Sequence, residues 1–304
     1  MIHEEVVSEG STSQLENPEQ ASRKGFSMSK FWTVVLAGWT AALSGSVLLA
    51  GVPLNSLEGV GGIAFNPLAY PGGNGAPESK GQGESGKAGI FGLPQVGGWY
   101  VHLGDVDVDW TTSGVAETLF GRAEVSYGRE IIAMSGVETI YKDNLGAKLL
   151  VLSESQVVPA VAVGVIGKHT TFDVPEGVDD SGADFYLVAT KLIKELPRPV
   201  LLSGGIISTE GRTLGVLGFD DDGDEALFGN IDVLPQENVA VGFEYRQGAK
   251  FDDFENADYW NAHLAWYVNS HVTLVGAYVN AGDHKSASTV GLGDGIVLSV
   301  QYAF

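Results

Sequence analysis

The chain has 304 residues, no cysteine, 42 glycines, and 17 Lys or Arg against 38 Asp or Glu, a formal charge of −21. The lack of cysteine excludes a disulfide scaffold and a thiolate metal centre. The acidic balance excludes nucleic acid as a partner, whose phosphates demand Lys and Arg. Abundant glycine with few long helical patterns points to an all-β body.

Residues 1–27 are polar and acidic, whereas Phe31 to Ala50 carry no charge and follow Lys30. A cationic start before an apolar run ending in small residues reads as a secretory signal. The rival is a transmembrane anchor, since about 20 apolar residues can span a bilayer, but Ser44, Gly45 and Ser46 interrupt the run. Residues 1–50 are therefore expected to be an extension plus a signal peptide cleaved near Ala50, with Met28 as a conventional start. Removing them takes away Arg23, Lys24 and Lys30 together with Glu4, Glu5, Glu9, Glu16 and Glu19, so the acidity belongs to the body.

Residues 51–94 form a glycine-rich N-terminal segment. Leu57 to Tyr70 (LEGVGGIAFNPLAY) is apolar, and Pro71 to Gly92 is a Gly/Ser/Lys/Glu tract without periodicity, a flexible linker by composition. Leu57 to Tyr70 fits either a first strand or a plug folded into a lumen.

From Gln95 onward, alternating segments of about ten residues succeed one another, a pattern shared by outer-membrane strands and a soluble β-sandwich, between which the signal peptide, the aromatic ends and Phe304 together decide for the barrel. Val239, Val241, Phe243 and Tyr245 oppose Ala240, Gly242, Glu244 and Arg246, and Trp260, Ala262, Leu264 and Trp266 oppose Asn261 and His263. The last stretch puts Ile296, Leu298, Val300, Tyr302 and Phe304 on one face and Ser299, Gln301 and Ala303 on the other. In a soluble sheet such a strand would be a core strand followed by a turn or tail; in an outer-membrane barrel it is the closing strand, apolar toward lipid, and the rest of the chain favours the second. Long and short connections alternate back from Phe304: Asp283 to Asp294 long, Asn269-Ser270 short, Gly248 to Ala257 long, Pro235 to Glu237 short, Ser208 to Asp224 long. Ile131 to Lys142 reads as another long loop. The expectation for residues 95–304 is an antiparallel transmembrane outer-membrane β-barrel of about twelve strands, exported through the inner membrane by the N-terminal signal. Its partners would be outer-membrane lipid and lipopolysaccharide, with barrel-assembly machinery engaging Phe304.

Several residues are placed to carry chemistry. Asp105, Asp107 and Asp109 share one face of an extended segment, about 7 Å apart by strand rise, and read as a lumen lining or a hard-cation path. Gly104 marks a bulge or turn. Glu124, Glu244, Arg246, Asn261 and His263 complete the lumen-lining candidates, and Glu244 and Arg246 are spaced to pair with each other. Asp220, Asp222 and Asp224 sit at positions one, three and five of a calcium-like loop that lacks Gly at six and has Ile231 at twelve. A divalent cation at these acidic stretches is the one cofactor considered. A lipid-hydrolysing barrel would need Ser and His held together, and the mature chain has no G-x-S-x-G, so His263 reads as a polar lining residue.

The runs at Leu57 to Tyr70, Asp105 to Trp110 (DVDVDW), Gly182 to Ile193 (GADFYLVATKLI), Leu196 to Ser203 (LPRPVLLS) and Phe228 to Pro235 (FGNIDVLP) resemble a bacterial family known only as a domain of unknown function. The resemblance implies a secreted Gram-negative envelope protein and brings no activity, cofactor or catalytic residue. The functional expectation is a cation-preferring pore or small-solute transporter. The alternatives are a lipid-modifying enzyme of the outer membrane and a structural barrel with a filled lumen.

Overall fold

The computed structural model describes residues 54–73, 91–282 and 289–304. The expected signal peptide, Met28 and most of the Gly/Ser tract (74–90) lie outside the described residues. In chain order the strands are β1 (Gln95–Leu103), β2 (Val108–Leu119), β3 (Ala123–Met134), β4 (Ile140–Leu152), β5 (Ala160–Thr170), β6 (Ser181–Ile193) and β7 (Val200–Gly211). They continue as β8 (Phe219–Gln236), β9 (Val239–Arg246), β10 (Glu255–Asn256), β11 (Tyr259–Tyr267), β12 (Val272–Asn280), β13 (Thr289–Val290) and β14 (Asp294–Ala303). β10 and β13 pair with each other in parallel, and the other twelve form a closed antiparallel barrel. Closure comes from β1, which pairs with β2 on one side and β14 on the other, Trp99 facing Thr112 and Ser299. Closing the sheet removes both edges.

Side-chain parity sorts the wall. On β14, Val297, Ser299 and Gln301 are buried while Ile296 and Tyr302 face out. On β9, Glu244 and Arg246 are buried and Val241, Phe243 and Tyr245 face out. β11 repeats this with Asn261 and His263 inside and Leu264 and Trp266 outside.

Two expected loops are shorter than the pattern implied. β3 runs to Met134 and β4 starts at Ile140, with Ile132 and Ile140 directly paired and buried, so residues 131–142 are mostly strand. β7 runs to Gly211 and β8 starts at Phe219, which moves Asp220 to Asp224 from a loop onto a strand. The remaining strands of the twelve come from Gln95 and Val108, joined by a turn at 104–107. Both ends of the described barrel, Gln95 and Ala303, lie at the end that carries the turns at 120–122 and 237–238.

Candidate functional site

Residues 54–73 fold inside the barrel. The segment has little regular structure of its own, only the bridges Asn55 to Gly61 and Gly62 to Pro67. Six of its amides, those of Ser56, Leu57, Gly59, Gly62, Ile63 and Leu68, bond to carbonyls within the segment; others need partners elsewhere, and side chains of the wall supply them. Glu244 accepts hydrogen bonds from the amides of Ala64 (3.2 Å), Phe65 (3.2 Å) and Asn66 (2.7 Å), and from Asn261 Nδ2 (2.5 Å). Glu124 accepts from the amides of Gly61 (2.9 Å) and Gly72 (2.5 Å), and Thr190 from that of Ala69 (2.9 Å). Lys148 Nζ donates to the carbonyls of Gly61 (2.7 Å) and Tyr70 (3.1 Å) and to Glu124 (2.9 Å). Near the barrel's start, Trp99 Nε1 donates to Asn55 O (2.7 Å) and Gln95 Nε2 to Leu54 O (2.9 Å).

Glycine permits this approach at one contact above all. Gly59 has φ +86°, and a Cβ on Gly128 of β3 would lie 2.5 Å from the carbonyl oxygen of Glu58. Plug backbone and wall backbone touch there, and neither position tolerates a side chain as it stands.

A charged network surrounds Glu58, the acidic side chain of the plug. Its carboxylate meets Lys142 (3.2 Å) and Lys168. Lys142 also meets Glu130 directly across the β3–β4 pair (2.8 Å), and Lys168 meets Asp184 (2.6 Å), which takes Arg246 at 3.3 Å. Burial alone would push the Glu58 carboxyl up, but Lys168, Lys142 and Arg246 outweigh it and bring it down to about 2. Each of these charged side chains is at least 97% buried and is paired, the condition under which interior charge is tolerated.

The predicted residues separate into two groups. Glu124, Glu244, Arg246, Asn261 and His263 lie in the interior. Glu244 and Arg246 do not pair with each other: the first holds the plug amides and the second goes to Asp184 and, at 3.5 Å, to Phe65 O. His263 bridges Asp232 and Asn261, each at 2.7 Å, so both ring nitrogens are engaged.

The three aspartates of β1–β2 are a correction. Asp105 and Asp107 are exposed in the turn, where Asp107 adopts φ +50°, and the turn breaks the extended register that would have aligned them. Asp109 faces outward on β2 and accepts from Tyr100 (2.7 Å) beside His102 (2.9 Å). The acidic run of β8 is a second correction. Asp220 is clamped by Arg212 (2.5 and 2.7 Å), Asp224 accepts from the Lys250 amide (2.8 Å), and Asp222 is exposed. An extended strand spaces same-face carboxylates about 7 Å apart, and no group of three or more metal-ligating side chains gathers among the described residues.

Missed from sequence were Glu58, Lys142, Lys148, Lys168 and Asp184. Glu124 with Lys148 and Glu130 with Lys142 are direct cross-strand pairs, so opposite charges at matching strand positions were the available clue.

The other part of the interior is apolar. Phe65, Leu57 and Ile63 of the plug pack with Trp99, Val101, Leu103, Trp110, Val279 and Leu292 in one buried cluster.

Among solved structures, the KdgM porin matches with a TM-score of 0.49 at 13% identity, covering 69% of this chain and 99% of that one. The NanC porin matches with a TM-score of 0.47 at 9% identity over 69% and 98%. The outer-membrane protein Omp33 of Acinetobacter baumannii matches with a TM-score of 0.38 at 10% identity over 71% and 100%. No curated protein sequence matches the chain. The family described as "Protein of unknown function (DUF3034)" matches residues 51–301, and the chain belongs to that family.

Proposed function

We propose that this protein is an outer-membrane barrel held closed by its own N-terminal segment, and that solute passes only when that segment is displaced. The outward face supports the membrane setting. Leu145, Leu149, Val163, Phe185, Leu187, Leu227, Val241, Phe243, Leu264 and Ile296 all project from the wall of the isolated chain, an apolar surface far beyond what a soluble monomer leaves uncovered. Aromatic rings gather toward both rims, with Phe243, Trp260 and Tyr278 in contact at one end and His271, Tyr302 and Phe304 at the other. Such girdles mark the two lipid–water interfaces. Phe304 is exposed on the outer surface at the short-turn rim, where lipid and the assembly machinery can meet it. Residues 1–50 would carry export.

The observation that carries the closed state is the inaccessibility of the lumen's charges. Glu130, Lys142 and Glu244 have 0% exposure, whereas a water-filled passage would leave its lining wet. Once the plug moves, the buried wall presents Glu124, Glu130, Asp184, Asp232 and Glu244 against Lys142, Lys148, Lys168 and Arg246. One carboxylate in excess sets a weak preference for cations.

Planar-bilayer recordings test this reading. Wild-type protein should be silent or open rarely, and deletion of residues 54–73 should give steady conductance with slight cation selectivity. Steady conductance of the wild type would sink the closed state. Silence of the deletion variant, folded by heat-modifiable mobility, would favour a purely structural barrel.

A further inference from the structure

We propose that His263 is a pH-sensitive positioning residue for the plug: doubly protonated while the plug is docked, it fixes Asn261 and, through it, the Glu244 carboxylate that takes the plug amides. The inference rests on the closed barrel above and adds the regulation of that closure.

The protonation follows from counting donors along one buried chain of side chains. Glu244 accepts the amides of Ala64, Phe65 and Asn66 on one side and Asn261 Nδ2, at 2.5 Å, on the other. Three main-chain N–H bonds favour a carboxylate over a carboxylic acid, and a carboxylate only accepts. Asn261 therefore turns its amide nitrogen to Glu244 and its Oδ1 to His263 Nδ1, 2.7 Å away. That oxygen is an acceptor, so Nδ1 carries a proton. Nε2 stands 2.7 Å from Asp232 Oδ1 and must donate as well. The second oxygen of Asp232 is taken by Asn230 Nδ2 at 2.7 Å. A ring whose two nitrogens both donate is an imidazolium.

The surroundings suit that charge. Asp232 faces the ring from β8 and Glu244 from β9. Ala277, opposite on β12, and Ala64, Phe65 and Asn66 of the plug bring no charge, and Tyr267 shares the inner face of β11. Asn230, Asp232, His263, Asn261 and Glu244 are each 7% exposed or less. Gly242 stands opposite both His263 and Asp232, and a Cβ there would lie within 2.5 Å of each of the two bonded atoms. Glycine at that position is what lets the pair form.

A neutral ring has one bare nitrogen, which would face Asn261 Oδ1 or Asp232 Oδ1, acceptor against acceptor. Turning the Asn261 amide over moves the same conflict to Glu244. Buried groups left unpaired in this way are costly, and the plug amides lose a fixed acceptor. With the plug out, solvent reaches the ring, and a hydrated imidazole has its ordinary value of about 6.5. Above that pH docking takes up one proton, so the undocked fraction rises by up to about tenfold per pH unit. Below it this ring contributes no pH dependence.

The test reads docking and protonation on the full chain folded in detergent. Protease cleavage within residues 54–73, corrected for the protease's own pH profile on an unfolded substrate, should rise from about pH 6.5 to 9 with a slope approaching tenfold per unit. His263→Gln, with one donor group for two acceptors, should raise cleavage and flatten that rise. His263→Arg, which keeps the charge and the donors, should flatten it near the wild-type level at pH 6. Nitrogen-15 NMR at pH 8 supplies the signature. An exposed imidazole is neutral there, so a ring with both nitrogens protonated is the buried one. A flat wild-type profile would overturn the proposal, as would His263→Gln with the wild-type slope, or docked protein at pH 8 without a doubly protonated ring. If neither variant folds by heat-modifiable mobility, the wild-type slope and the spectrum decide. Conductance is not read here: a flat profile leaves the closed barrel standing, and steady wild-type conductance with the slope intact sinks that closure alone.

Discussion

Glu244 on β9 has no solvent exposure and accepts four hydrogen bonds, three of them from consecutive plug amides. Asp109 on β2 has a side chain 56% exposed and is shared by Tyr100 and His102 on the outer face. The two residues carry the same group on the same sheet, and their surroundings give them opposite roles. A carboxylate inside a barrel is costly unless its lone pairs are filled. At Glu244 and Glu124 they are filled by backbone N–H groups of the plug, so while the plug is docked these two buried acids fasten it and do not act as a hydrated ring for passing cations. The exposed acids organise nothing inside.

The sharpest way to break this contrast is to remove the interior carboxylate. Glu244→Ala leaves the amides of Ala64, Phe65 and Asn66 buried without acceptors, a loss of about 3–5 kcal/mol. The fraction of molecules with the plug undocked should rise by about two to four orders of magnitude. Protease cleavage within residues 54–73, at a concentration that spares the barrel, measures it. On the same strand, Val241→Arg puts a cation on the outward face and should cost about 2–4 kcal/mol of barrel stability if that face meets the bilayer midplane. Plug cleavage should stay at the wild-type rate in Val241→Arg. A variant that loosens the plug from outside, or Glu244→Ala with an intact plug, would erase the distinction between the faces.

A smaller effect separates the two groups by pH. The Glu58 carboxyl is held at about 2 against an ordinary value of 4.5, because Lys168, Lys142 and Arg246 outweigh the burial that would raise it. A carboxyl with a lowered value in the folded state contributes stability that is complete above 4.5 and is lost as pH falls toward 2. Plug docking should therefore weaken across that window, with cleavage by an acid-active protease rising from pH 4.5 downward. Glu58→Gln should flatten the profile, whereas Asp109→Asn should leave it unchanged.

The same contrast explains what could be seen in the sequence. Strands β9, β11 and β14 alternate cleanly because one face is uniformly apolar, and that regularity survives without knowledge of the interior. Parity on β1 runs the other way: Trp99, Val101 and Leu103 are buried, because the plug's Leu54, Leu57 and Phe65 pack against this part of the wall. Alternation reports a period and leaves open which face is inside. The plug was harder still. Its attachment uses main-chain amides from Gly61 to Gly72, and main-chain donors are identical at every residue. Its acceptors at Glu124, Thr190 and Glu244 stand far along the chain. Only the shortage of charge and the glycines in Leu57 to Tyr70 hinted at a segment recognised by its backbone. The turn at 104–107 defeated the extended register because Asp107 sits at positive φ, a conformation that Asp tolerates better than most residues.

The smallest expected effect is also the most direct check on the aspartates. Replacing Asp105, Asp107 and Asp109 together by Asn preserves size while removing three charges. Asp105 and Asp107 are exposed at the rim, and Asp109 bonds only outward. Exposed pairs such as Asp109 with His102 contribute little, so stability should change by less than about 0.5 kcal/mol. The informative reading is selectivity in the protein lacking residues 54–73, from reversal potentials across a salt gradient. Charges near a mouth act through solvent within a Debye length, about 10 Å at 0.1 M salt. The triple replacement should leave selectivity unchanged at that salt and shift it slightly at 0.01 M, where screening extends to about 30 Å. Glu244→Gln in the same background should reduce cation preference at both concentrations, because its carboxylate belongs to the lumen wall itself. If the aspartates prove dominant at 0.1 M, the permeation path runs along the outer turn, and the buried carboxylates would then have no part in selecting ions.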